Sequence, residues 1–305
     1  MPRLEKARAL RPGQRIGVAA PAARVDTAAL LACERALAEL GWPTLRIDDP
    51  TAADGYFAGS DQRRARELAA LIDEPSVGAI VCARGGYGCH RYVDLLDAAR
   101  FRRQRKPLVG YSDVTTLLLW QRRRAGLTGV HGPMLERSGA DHRASLEALL
   151  ALLCGAVPEP MKGQGGVGGR AEGRLVGGSL TLVAASLGTP WEIDTRGAIL
   201  LLEDTGEAPF RIDRMMQSLR AAGKLQGCAG IGVGAMVGCD DPRFPDWTAE
   251  GIIGELAETH GLPLVTGLAF GHVDANRAWT LGARAVLDGD RGTLEQLESG
   301  VSRRS

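Results

Sequence analysis

Charge of one sign is missing. The chain sets 37 Lys and Arg against 36 Asp and Glu, for a formal net charge of +1. No overall field draws it to nucleic acid or to an anionic membrane. Long apolar runs are missing too. None approaches the roughly 20 residues of a membrane span, and the opening MPRLEKARALRPGQ has no run of signal-peptide length. A cytoplasmic location is expected, with neither membrane nor nucleic acid as partner. Paired cysteines are absent: Cys33, Cys82, Cys89, Cys154, Cys228 and Cys239 stand singly. No C-x-x-C occurs, and the gap of six residues between Cys82 and Cys89 fits no common zinc pattern. Several lie in apolar runs (IVCA, VGCD), which reads as reduced core thiols and not as ligands or disulfides. No internal repeat is seen. No metal and no cofactor is expected.

What is present suits a globular protein. Of 305 residues, 45% are apolar and 24% charged, ample material for one large domain or two ordinary ones. The first 135 residues alternate strand and helix patterns. RIGVAAP (15–21), TLRID (44–48), VGAIVCA (77–83), KPLVGY (106–111) and LTGVHGP (127–133) read as strands. Between them, 27–40, 60–73, 90–100 and 113–126 read as helices, with Ser60 or Asp61 as an N-cap and Gly41 as a stop. Repeated β-α units of this size imply an α/β fold with a parallel sheet covered on both faces. Chemistry in such sheets gathers at the carboxyl ends of the strands.

Composition then shifts. Residues 155–174, GAVPEPMKGQGGVGGRAEGR, are rich in Gly and Pro and read as a linker or long surface loop. No phosphate-loop Lys-Ser/Thr follows. Beyond it, 174–188, 197–204, 230–238, 262–267 and 283–290 read as strands or strand starts. Residues 209–223 and 246–261 read as helices, giving a smaller α/β domain.

One corner raises a chemical question. KPLVGY ends in Tyr111-Ser112-Asp113, and a leucine-rich helix follows at once. A nucleophilic serine needs such a turn, a base and donors for an oxyanion. The corner supplies the turn and the N–H of residue 113 at the positive end of a helix. Val114 replaces the second glycine of G-x-S-x-G, so Ser112 or Asp113 acting merely as helix cap stands as the alternative. Among five histidines, His90 and His142 sit in arginine-containing helical stretches and read as solvated, and His260 reads as a helix-end residue. His131 either lines a site or fills a strand end. His272, after Gly271 and before a loop, is either an exposed base or a plain loop histidine. The apolar strand GAILLLED ends in Glu203-Asp204, and a carboxylate there asks for a partner. That partner is an imidazole, Arg211 or Arg214, or else Glu203 leaves into water. Arg84-Gly85-Gly86-Tyr87-Gly88 joins a strand to a helix and reads as an oxyanion donor, a phosphate cradle or a simple turn. Its spacing is not the dinucleotide G-x-G-x-x-G. The arginine runs 100–106 and 121–124 read as solvated faces.

Together these stretches resemble the serine L,D-carboxypeptidases, the LD-carboxypeptidase A and microcin-immunity peptidase group. The matching segments are 11–22, 79–97, 106–118, 129–134, 173–183, 187–223 and 267–288. They follow in family order over nearly the whole chain. The resemblance implies a Rossmann-like nucleophile domain (1–140), a linker (141–172) and a swivelling β/α domain (173–305). It implies a triad of Ser112 as nucleophile, His272 as base and acid, and Glu203 as its orienter. It further implies oxyanion donors at Gly86 or Gly85 and at Asp113, and a homodimer. The implied substrate is a murein tetrapeptide that loses its terminal D-alanine. RGGYG favours that branch over the branch acting on peptidyl- or aminoacyl-nucleotides. Arg84 is the candidate for the terminal carboxylate, from its position. Two departures bear on the pocket: Ser179 stands where the family often has Asn, and Trp279-Thr280 where it has Leu-Pro.

Overall fold

A computed structural model describes residues 3–49, 52–137 and 139–303. The described residues form a mixed α/β structure built on two large sheets, with a third of two short strands. The first runs in the order Trp279–Leu281, Gly129–His131, Leu108–Gly110, Val77–Cys82, Arg15–Ala19, Thr44–Leu45. All of its neighbours are parallel except Trp279–Leu281, which runs antiparallel to Gly129–His131. Strand alternation sorts the side chains. Ile16, Val18, Ala79 and Val81 face one apolar cluster with Leu30, Cys33 and Leu37 of the helix Thr27–Glu39. Ala19, Ile80 and Cys82 face the other, with Leu68, Leu71 and Ile72 of the helix Asp61–Asp73. Both faces are thus covered, as a parallel sheet requires.

The second sheet has a parallel centre of Arg170–Ser179, Ala198–Thr205, Gly230–Val237 and Leu264–Thr266, edged by antiparallel strands. The helices Pro209–Ala221 and Ala249–Thr259 bury Ile212, Met216, Ile253 and Ala257 against it.

Three differences from the sequence reading have physical causes. The stretch 141–172 is not a free linker. Ala140–Leu153 is a helix whose Leu146, Leu149 and Leu153 join Val109 and Val130 in the core of the first sheet. The glycine-rich part supplies Met161–Lys162 and Gln164–Gly165 to opposite edges of the second sheet. Residues 90–100 do not form one helix. Two short 3-10 turns precede Ala98–Gln104, because the Asp97 carboxylate accepts from Ala99 N at 2.8 Å and Arg100 N at 3.2 Å and starts the helix there. Finally, Trp279–Leu281 crosses back to the first sheet, so the 173–305 segment is shared between both. The ends are also tied, Ala7–Arg8 pairing with Val301–Ser302. All six cysteines are free, and all but Cys154 are buried.

Two buried charges brace the loop after Arg15–Ala19. The Arg64 guanidinium, fully buried, donates to Pro21 O at 2.9 Å. The Glu67 carboxylate accepts from Ala20 N at 3.0 Å. Burial pushes Glu67 up to about 7, against the opposing pull of the Ala20 amide. A carboxyl raised on folding lends stability that is complete below its unfolded value near 4.5 and lost as pH rises through about 7. Glu67→Gln is therefore expected to gain on the parent by on the order of 2–3 kcal/mol between pH 4.5 and pH 8. Denaturant melts at both pH values check this, and a gap that does not change with pH would refute it.

Candidate active site

Ser112 stands at the carboxyl end of Leu108–Gly110 as the first residue of a 3-10 turn, Ser112–Val114, that leads into the helix Thr115–Trp120. Its φ is 57°, in the left-handed region. For a residue with a β-carbon that conformation costs about 1 kcal/mol or more, and such strain concentrates at functional corners. The cap positions are Tyr111 and Val114, and neither makes a side-chain cap bond. The Asp113 carboxylate accepts instead from Cys89 N at 2.8 Å, tying the corner to the exit of the glycine loop. Burial raises the Asp113 carboxyl from its ordinary range. The Asp113 backbone N–H lies in the first turn, where helix N–H groups lack intrahelical acceptors.

The loop 84–88 packs directly on this corner. A β-carbon on Gly85 would stand 2.9 Å from Ser112 Cβ, a distance real side chains do not show, so only glycine allows the approach. The loop is held from behind by Ala23 N donating to Gly85 O at 3.0 Å.

Glu203 and His272 arrive from the second sheet. Glu203 ends the buried run of Ala198–Thr205 and is 0% exposed. It meets neither candidate arginine: Arg211 pairs with Glu207 at 3.4 Å, and the Arg214 guanidinium lies over the Phe210 ring at 5.4 Å. Its Oε2 instead meets His272 Nδ1 at 2.7 Å. Gly271 makes this contact possible. At φ 105°, its missing β-carbon would stand 2.6 Å from Glu203 Oε2. Asn276 Oδ1 fixes the turn by accepting from Gly271 N at 3.0 Å. The other Glu203 oxygen, Oε1, lies 3.7 Å from Nε2 of the buried His131. Burial drives the Glu203 carboxyl up, but the two imidazoles more than offset it and hold it below its ordinary range. The neighbouring Asp204 has a different task. Its carboxylate accepts from Thr181 N at 2.7 Å and Thr181 Oγ1 at 2.9 Å.

A cavity of about 500 Å³ brings these parts together. Ser112, His272, Arg84, Gly85 and Gly86 line it, as do four residues the sequence did not single out: Asp26, Glu136, Arg137 and Thr205. Asp26 and Glu136 each lie in the segment that follows a strand of the first sheet, and that position is their available signal. Arg84 is held on the rim by Arg24 O at 3.0 Å and by Glu136 Oε2 at 3.6 Å. Tyr111 OH donates to the other Glu136 oxygen at 3.0 Å, and Arg137 meets Asp274 at 2.6 Å. The Tyr111 ring also abuts the His272 ring edge-on at 4.9 Å. Thr115 Oγ1, accepting from Ser179 N at 3.2 Å, locks the two sheets beside the serine.

Of the other histidines, His142 differs from expectation. It is buried on Ala140–Leu153, not solvated. His260 is a helix-end residue, its Nδ1 2.9 Å from Leu256 O. Among the described residues no group of three or more His, Cys, Asp or Glu could hold a metal ion, and no helix is long and apolar enough to cross a membrane.

A strained serine corner and a carboxylate-bound imidazole thus line one cavity of an α/β scaffold, an arrangement that can support acyl transfer. Residues 16–132 match the LD-carboxypeptidase N-terminal domain and residues 172–287 the LD-carboxypeptidase C-terminal domain. The chain belongs to the LD-carboxypeptidase family and is an enzyme of the carboxypeptidase type. It is 35% identical to the probable murein peptide carboxypeptidase of Bacillus subtilis, over 97% of this chain and 95% of that one. It is 34% identical to the murein tetrapeptide carboxypeptidase of Pseudomonas aeruginosa, over 91% of this chain and 94% of that one. The crystal structure of muramoyltetrapeptide carboxypeptidase from Oxalobacter formigenes superposes with a TM-score of 0.83 at 26% identity, covering 92% of this chain and 97% of that one.

The crowding at Gly271 yields a test. Gly271→Ala is expected to cost about 1–3 kcal/mol of stability, through the positive φ and the clash with Glu203, and to lower turnover about 100-fold by displacing the imidazole. Denaturant melts and steady-state rates check it, and parental values for both would show that the close approach is not needed.

Proposed function

We propose that the protein is a serine carboxypeptidase that hydrolyses an L,D-peptide bond in a murein tetrapeptide and releases the terminal D-alanine. The observation that carries the reading is the 2.7 Å contact between His272 Nδ1 and buried Glu203, in a cavity that His272 shares with Ser112. With Nδ1 held by the carboxylate, Nε2 is the ring nitrogen left for proton transfer. Ser112 Oγ attacks the scissile carbonyl carbon while His272 Nε2 takes the hydroxyl proton. The backbone N–H groups of Asp113 and of Gly86, or Gly85, receive the oxyanion. His272 then protonates the leaving amine, D-alanine departs, and water attacks the acyl-serine by the same route in reverse. Glu203 keeps the ring in the required tautomer and stabilises the positive charge that develops on it.

Release of a terminal residue requires a group for its carboxylate. Arg84, on the cavity rim with part of its guanidinium held by Arg24 O, suits that role through charge-assisted hydrogen bonds. The names borne by the Bacillus and Pseudomonas relatives support murein peptide as substrate, and with it a place in peptidoglycan recycling in the cytoplasm. The family resemblance supports a homodimer.

Mass spectrometry of synthetic murein tetrapeptide after incubation tests the reaction, with an aminoacyl-sulfamoyl adenylate in a parallel arm. The expected outcome is loss of one D-alanine from the tetrapeptide and slower or no cleavage of the adenylate. Ser112→Ala is expected to lower kcat by about 10³-fold or more. Turnover of the adenylate alone would move the assignment to the nucleotide-peptide branch, and an unimpaired Ser112→Ala enzyme would remove the nucleophile.

A further inference from the structure

His131 has no place in the reaction as written, yet it is placed with care. It ends Gly129–His131, paired with Gly110 on one side and Trp279 on the other. Its side chain is 0% exposed. The Trp279 ring stacks on it at 5.1 Å with a 14° interplanar angle, and the Phe270 ring meets it edge-on at 5.5 Å. Among the described residues, neither His131 nitrogen has a hydrogen-bond partner, and the same is true of Glu203 Oε1. Buried polar atoms left in that state cost about 1–3 kcal/mol each. An apolar ring would fill the same cage without that cost, so packing does not explain an imidazole here.

The titratable groups facing His131 are few. Glu203 Oε1 is 3.7 Å from Nε2, and the Tyr111 ring is 5.8 Å away centre to centre. His272 lies beyond, on the other oxygen of Glu203. The His131–Glu203 gap exceeds a hydrogen bond by less than about 1 Å, a distance that a small rotation of either side chain covers.

We propose that His131 is a positioning residue: its Nε2–H holds the second oxygen of Glu203, so that the carboxylate is clamped between two imidazoles and presents a fixed oxygen to His272. The role rests on the triad reading above, since it acts on the reaction only through Glu203. Trp279, where the family often has another residue, serves as the stacking plate that fixes the His131 ring.

Two variants and one measurement on the parent protein test this. Nitrogen-15 spectra of the histidine rings are expected to show His131 protonated on Nε2. A proton on Nδ1 alone would overturn the proposal without any variant. His131→Phe keeps an aromatic ring on Trp279 but removes the donor, whereas His131→Gln keeps a donor near the Nε2 position. In His131→Phe, kcat is expected to fall by about 10- to 100-fold with KM within about twofold. The His272 titration midpoint, followed by the same spectra, is expected to rise by about half a pH unit or more, because a carboxylate that has lost one donor binds a proton on the Glu203–His272 pair more tightly. His131→Gln is expected to stay near the parent in both. A His131→Phe enzyme with parental kcat and midpoint, or a folded His131→Gln enzyme impaired as severely as the Phe variant, would refute the role. Failure of the triad reading shows separately, as retained activity in Ser112→Ala, and leaves the spectroscopic arm valid.

Discussion

The structure turns on one buried negative charge. Glu203 is fully enclosed at the end of an apolar strand, where an unpaired carboxylate would cost several kcal/mol. It is kept below its ordinary range only because imidazoles approach from two sides. That requirement orders much of the neighbourhood. Gly271 must lack a side chain for the backbone to pass, Asn276 must fix the turn, and Tyr111 must wall the ring of His272. In the proposed reaction this charge orients the base.

The serine and the imidazole–carboxylate pair of the proposed triad come from different sheets, so the relation of those sheets is part of the proposed chemistry. Three features join them. Thr115, at the start of the helix behind Ser112, bonds to the end of Arg170–Ser179. Trp279–Leu281 leaves the histidine loop and adds itself to the first sheet beside His131. One continuous apolar cluster includes Leu68 and Leu118 from the first half together with Leu200 and Ile212 from the second. Because packed cores shift between discrete arrangements more readily than they deform, the distance from serine to imidazole is set by these joints and not by either sheet alone.

Much of this was legible in the sequence, for identifiable reasons. Strand-helix alternation through residue 135 exposed the first sheet, since each strand is short, apolar and bounded by a clear stop or cap. The abrupt serine, the carboxylate ending GAILLLED and the glycine before His272 were each visible as local oddities, though each admitted a plain alternative. What stayed hidden was long-range. Nothing local marks Trp279–Leu281 as a strand of the first sheet, because its partner lies about 150 residues earlier. The glycine-rich segment reads as a linker because Gly163 and Gly165 have no side chains to give a strand signal. They are glycine where a β-carbon would strike the Thr266 and Gly289 carbonyls, at 2.1 and 2.2 Å. His131 read as ambiguous because its meaning depends on Glu203, Phe270 and Trp279 meeting around it.

Glu203 is held ionised while completely buried. Carbon-13 spectra of the glutamate side-chain carboxyls, assigned with Glu203→Gln and followed from pH 4 to pH 8, measure it most directly. A Glu203 resonance in the carboxylate position is expected throughout that range. A resonance of a protonated carboxyl near neutral pH would contradict it, since a neutral acid at that position could neither fix the tautomer of His272 nor stabilise its charge.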